Sequence, residues 1–150
     1  AVNEAGGAFT NFLPLGGLPK VTENVAAGGN GFELLCRFFC FPGEWDEYEG
    51  LARFMFSSYI TVPVYANFFT WLGYGDEIAE MRSLWEQKDR AGAAAAAPRE
   101  LIEDTFLIGP PEKIRERLDA YVAGGITLPV ITPITTPDKM EETIRALAPR

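Results

Sequence analysis

The chain has 150 residues, 47% of them hydrophobic and 23% charged, a balance that supports a packed core and fits one domain or a substantial piece of a larger one. Its 21 acidic residues outnumber the 13 basic ones, the net charge is −8 and no Lys/Arg-rich run occurs, which excludes nucleic acid and anionic membrane surfaces as partners on electrostatic grounds. There is no histidine, so a Ser-His-Asp triad and a zinc site are excluded within the chain.

In chain order, Ala8 to Leu13 is rich in aromatic and β-forming residues and stops at Pro14 and Gly16-Gly17, which predicts a strand. Leu18 to Ala27 has room for a short helix, and Gly28-Gly29-Asn30-Gly31 reads as a turn. Phe32 to Phe41 is almost continuously apolar up to Pro42-Gly43, the pattern of a strand buried on both faces of a parallel sheet. Cys36 and Cys40 lie on it, on one face and ~13 Å apart at strand spacing, too far for a disulfide. Buried free thiols are expected.

A helical block follows. Glu44 and Asp46 suit a helix N-terminus, and Leu51, Met55 and Tyr59 recur at four-residue spacing. Pro63 can open the next helix, with Val64, Phe68 and Leu72 on one face up to Gly73. Asp76 opens a third, carrying Ile78, Met81 and Trp85. The aromatics of this block fit either a helical core or a cofactor box, and helical spacing favours the core. Ala91 to Ala97 is a low-complexity tract, a helical turn or a connector, and Arg99 to Asp104 reads as a further turn of helix.

The apolar run Thr105 to Ile108 ends at Gly109, and Pro111-Glu112 starts a helix whose stripe is Ile114, Leu118, Tyr121 and Val122. Two prolines and a carboxylate at that start argue against phosphate binding there. Ile126 to Ile131 predicts a strand interrupted by Pro129, and Pro137-Asp138 opens a last helix with Met140, Ile144 and Leu147. Strands separated by helices imply an α/β fold with parallel pairing.

No segment reaches the ~18 consecutive apolar residues of a membrane span. Ala1-Val2-Asn3-Glu4 lacks the basic-then-apolar pattern of a signal peptide. A cytoplasmic location follows as an expectation. The missing initiator Met suggests a chain cut from something longer.

Four stretches together resemble the luciferase-like monooxygenase family, particularly its F420-dependent branch. Ala5-Gly6-Gly7-Ala8-Phe9-Thr10-Asn11-Phe12-Leu13-Pro14 is similar to the family's strand followed by Asn-aromatic, with Gly6 where the family usually has Asp. Tyr59-Ile60-Thr61-Val62-Pro63-Val64-Tyr65 with Trp71-Leu72-Gly73 is similar to its helix pair. Phe106 to Leu118 looks like its Ile-Gly-x-Pro-Glu helix entry, and Tyr121 to Val130 like its last barrel strand.

The resemblance implies an α/β fold, the C-terminal part of a (β/α)8 TIM-type barrel, as a single partial domain over 1–150 with a helical insertion at about 45–104 before the last strand. A complete barrel takes roughly 250 residues, so the remaining strands would lie upstream. It also implies an oxidoreductase that uses coenzyme F420 or FMN, bound mainly by upstream residues, for hydride transfer or oxygen activation on a small organic substrate, and a homodimer. The alternative is a non-catalytic half-barrel that associates through its sheet edges, or an inactive fragment.

Function in such barrels collects at the C-terminal ends of strands. Three candidates for cofactor binding follow. Asn11 ends the first strand, and its amide can serve a flavin pyrimidine edge or a substrate, or simply close the turn. Arg37 lies on the second strand, where it either points inward to an anionic cofactor tail or outward to a helix carboxylate. Thr132 follows the last strand. No metal ligands and no catalytic residue are assigned within the chain.

Overall fold

A computed structural model describes residues 4–29 and 31–148. The N-terminal Ala1, Val2 and Asn3, and Asn30 of the expected Gly28–Gly31 turn, lie outside the described residues. The chain forms two compact units, one of residues 1–47 and 105–150 and the other of residues 48–104.

The first unit is built on a four-stranded sheet: β1 (Gly7–Asn11), β2 (Glu33–Pro42), β3 (Leu107–Gly109) and β4 (Leu128–Pro133). All pairings are parallel, as expected from the alternation of strands and helices. β1 and β4 both pair with Leu35–Arg37 and so flank β2 on opposite edges. β3 and β4 both pair with Cys40, so β3 continues the β1 edge toward the end of β2. Among the described residues β1 and β4 each pair with β2 alone, which leaves two open edges. Pro129 and Pro133 sit in β4, an edge strand, where a proline is tolerated.

Register partners in a parallel sheet point to the same side, and neighbours along a strand to opposite sides. One face therefore carries Leu34, Cys36, Phe38 and Cys40 with Pro129 and Ile131. The other carries Phe9 and Asn11, then Leu35, Arg37 and Phe39, then Leu128, Val130 and Thr132. Helix α7 (Pro111–Ala123) covers the first face: Tyr121 lies 4.4 Å from Phe38, centroid to centroid, and Ile114 and Tyr121 are fully buried. Each such side chain contributes about 1.5–3 kcal/mol of burial. Helix α1 (Leu18–Val25) meets the end of α7 closely; a Cβ on Gly124 would stand 2.3 Å from the Leu18 side chain, so any side chain there would displace Leu18. Helix α8 (Met140–Leu147) buries Leu147 and Thr143.

The second unit holds α2 from Tyr48 onward (Trp45–Ile60), α3 (Pro63–Leu72), α4 (Ala79–Glu86), α5 (Arg90–Ala96) and α6 (Arg99–Thr105) as far as Asp104. Pro63 occupies the first position of α3, and Gly73 ends it in the left-handed conformation, φ +113°. There the Gly73 N–H donates to Thr70 and the Tyr74 N–H to Phe69, the paired bonds that close a helix at glycine. Phe56 and Phe69 pack edge to face at 5.7 Å and are fully buried with Ile60, Ile78 and Met81. At these positions the block's apolar residues form a core.

Local differences from the sequence reading have local causes. β1 ends at Asn11 because Phe12 turns to φ +51°, so the strand is Gly7–Asn11 and not Ala8–Leu13. The third helix begins at Ala79, three residues after Asp76. The alanine tract is the helix α5, capped by Asp89, whose Oδ1 accepts from the Gly92 N–H at 2.8 Å. The run before Gly109 forms β3, a fourth, short strand. β4 is Leu128–Pro133, and Thr127 ahead of it uses its hydroxyl to accept from the Leu34 N–H at 2.9 Å.

Candidate functional site

Three of the sequence candidates meet on the face of the sheet that α7 does not cover. Asn11 is the last residue of β1, level with Arg37 of β2. Thr132 is level with Phe39, one pleat further along the same face. Thr132 lies inside β4 rather than after it. Arg37 shares its face with Phe39, not with the thiols and Phe38 that pack toward α7, which decides between its two expected orientations. Its guanidinium stands 4.8 Å over the Phe39 ring, a contact of about 0.5–2 kcal/mol.

Two polar atoms of this group are buried without a hydrogen bond: Asn11 Oδ1, an acceptor, and Arg37 Nε, a donor. Leaving such an atom unserved costs about 1–3 kcal/mol. Beyond them toward the end of β2 lies a phenylalanine cluster. Phe12 stacks on Phe39 at 5.3 Å, and Phe106 stands 5.8 Å from Phe39, 5.4 Å from Phe41 and 6.1 Å from Phe12. All four are buried. Phe12 reaches the cluster through its positive φ, a backbone conformation that costs about 1 kcal/mol or more in a non-glycine residue. The sequence reading did not single out this cluster. The alternation Arg37, Phe39, Phe41 on β2 was its available signal; Phe12 and Phe106 join only in three dimensions.

Toward the other end of the same face, Phe9 and Leu128 remain about half exposed, at 55% and 50%. The face thus passes from exposed apolar residues, through an unserved donor and acceptor, to a closed aromatic floor. A planar heteroaromatic group with polar edges fits these features: it offers ring surface to the phenylalanines and hydrogen-bonding atoms to Asn11 and Arg37.

The other polar features lie elsewhere. Burial pushes the Cys36 and Cys40 thiols up to about 12, so both are protonated, inert and turned away from Arg37. A groove of about 740 Å³ between α7, β4 and α8 is lined by Glu112, Arg115, Leu118, Asp119, Pro129 and Ile131, among others. It lies on the helix-covered face and contains none of the three candidates. In the helical unit, Tyr74, Glu77, Glu100 and Asp104 line a smaller hollow. The Tyr74 hydroxyl is raised there, first by burial and then by the charges of Asp104 and Glu77. Three carboxylates make that hollow a poor seat for an anion. Among the described residues no group of three or more Asp, Glu, Cys or His is placed to hold a metal ion.

The sequence profile of the family described as luciferase-like monooxygenase matches residues 4–128. The chain belongs to this family. The fold agrees with that membership: the coenzyme F420-dependent tetrahydromethanopterin reductase of Methanopyrus kandleri superposes with a TM-score of 0.66 at 16% identity, over 98% of this chain and 44% of the reductase. An F420-dependent secondary alcohol dehydrogenase, solved with an F420–acetone adduct, superposes with a TM-score of 0.54 at 12% identity, over 99% of this chain and 46% of that enzyme. No curated protein sequence matches the chain. This luciferase-like chain therefore spans less than half the length of these two structural relatives. Its sheet is the C-terminal part of a (β/α)8 barrel, and the face bearing Asn11, Arg37 and Thr132 is the one such a barrel turns inward.

Proposed function

We propose that this luciferase-like chain is part of an oxidoreductase that binds coenzyme F420 or FMN and acts on a small organic substrate. The observation that carries the reading is the pair of buried, unserved polar atoms, Asn11 Oδ1 and Arg37 Nε, beside a phenylalanine floor toward the strand ends. Family membership and the fold shared with two F420-dependent enzymes support it. When bound, such a cofactor supplies hydride transfer or oxygen activation. In this reading Asn11 and Arg37 hold the ring by its polar edge, and Thr132 adds a hydroxyl from the neighbouring strand. Phe12 and Phe39 exclude water from one side of the site. The phosphate-holding and proton-transferring groups belong to barrel strands beyond this chain.

The test is a fluorescence titration of the full-length natural protein with F420 and FMN in parallel. Saturable binding of one of them is expected. N11A, R37M and T132V should each weaken it, the first two by about tenfold, the loss of a buried hydrogen bond. Failure to bind either ring sinks the reading.

The open edges of β1 and β4 and the exposed Phe9 and Leu128 favour a second reading, a half-barrel that associates without catalysis. An assembled protein that binds neither ring would support it. We also propose a homodimer as the working form. Phe54 to Gly75 carries no charged residue and exposes Phe54, Val64 and Trp71, a surface on which two chains of net charge −8 can meet without repulsion. A monomeric mass by light scattering would refute this.

A further inference from the structure

We propose that Asn11 and Arg37 act as one unit that reads a lactam edge, an N–H adjacent to a C=O, on the ring. The inference rests on the cofactor reading above and adds which part of the ring this chain recognises. Asn11 and Arg37 are register partners on adjacent parallel strands, so their side chains leave the same face one strand spacing apart, about 4.8 Å. The unserved atoms are of opposite kind: Asn11 Oδ1 accepts and Arg37 Nε donates. Although neighbours, they do not bond each other. The guanidinium instead lies over the Phe39 ring, and each atom is buried with its hydrogen-bonding capacity unmet.

The opposite polarity selects the ligand. A phosphate or carboxylate has only acceptors. It would serve Arg37 but set negative charge against the Asn11 oxygen. An ammonium has only donors, and would serve Asn11 but face the Arg37 cation. A neutral group offering a donor and an acceptor side by side serves both. In a planar heterocycle that group is the N–H/C=O pair of a lactam or imide, which the pyrimidine portion of flavins and deazaflavins carries. The pair thus suits the ring of the cofactor and not an anionic tail.

The test compares FMN with 3-methyl-FMN, in which the edge N–H is replaced by N–CH₃, by fluorescence titration of the full-length natural protein. If that protein takes F420 instead, the deazaflavin and its 3-methyl derivative are the probes. The wild type is expected to bind the methylated ring at least tenfold more weakly, since the Asn11 oxygen then has no donor and meets a methyl group. N11A removes the acceptor and leaves room for the methyl, so it should bind both rings alike. R37M should weaken both rings in proportion and preserve the discrimination. N11D should pair with Arg37 and lose both rings, with circular dichroism confirming the fold of each variant. Equal binding of the two rings by the wild type overturns the proposal, as does discrimination that survives in N11A. Equal binding leaves the cofactor reading standing; binding of neither parent ring removes both.

Discussion

The hydroxyl of Tyr121 donates to the backbone carbonyl of Leu13 at 2.7 Å, across 108 positions of sequence and fully inside the protein. It ties helix α7 to the segment that leaves β1 two residues after Asn11, while the same ring packs on Phe38. The bond therefore anchors the chain just behind the candidate site. Y121F keeps the ring and strands the carbonyl, so it should lower stability by about 1–3 kcal/mol. Urea unfolding of wild type and variant measures this. An unchanged midpoint would mean that the carbonyl finds water.

Cys36 and Cys40 give the protein a one-sided response to base. Burial raises both thiols to about 12, whereas in the unfolded chain they ionise near the ordinary 8.5. The folded state thus holds its thiol protons where the unfolded state has lost them. The thiols' contribution is fully present below about pH 8.5 and is lost as pH rises toward 12, at about 1.4 kcal/mol per thiol per pH unit. Denaturation midpoints between pH 8 and 10.5 should fall with pH, and less steeply in the C36A/C40A double variant. Parallel slopes would contradict the burial argument. Native protein at pH 8 should also resist thiol reagents that label it promptly in urea.

Within the helical unit Arg53 bridges distant backbone. Its Nε donates to Glu49 at 2.8 Å, and its Nη1 donates to the carbonyls of Ala97 at 2.5 Å and Ala95 at 3.3 Å. These carbonyls close α5, which has no basic residue of its own in its last turn. R53A should destabilise the protein by about 1–3 kcal/mol and speed hydrogen exchange in residues 95–102. R53K should recover only part of this, because an ammonium cannot fork between a carboxylate and two carbonyls as a guanidinium does. Wild-type exchange rates in R53A would count against the bridge.

Lys88 follows α4 with φ +66° and an exposed side chain. A non-glycine residue there costs about 1–2 kcal/mol, partly offset by the greater freedom of glycine when unfolded. K88G should therefore raise stability by about 0.5 kcal/mol, read as a small rise in melting temperature. A fall would mean that the lysine side chain makes a contact that outweighs the strain.

Much of this was legible in the sequence. The continuous apolar run of β2 announced a strand of a parallel sheet, buried on both faces from Phe38 to Phe41 but only partly so at Leu35 and Arg37. Pro63 and Gly73 marked the limits of α3, and Pro111 the start of α7. Asn11 at the end of a short strand and Arg37 as the lone charge amid apolar residues were visible as candidates. Their being level with one another was not. That depends on the register of two strands separated by α1, and sequence periodicity carries no information on register between distant segments. The end of β1 was displaced by two residues for a related reason: Phe12 turns into a cluster whose other members come from β2 and the segment before β3.

The sequence alone determined the class of fold, the family, the acidic character that disfavours nucleic acid, and the inertness expected of two cysteines on an apolar strand. These follow from local composition, period and punctuation. The tertiary structure alone decided which face Arg37 takes, which atoms lack partners, and which phenylalanines close the site. Those properties arise from pairings between residues as far apart as Phe12 and Phe106, and the free energy of such pairings resides in neither residue's own stretch of chain.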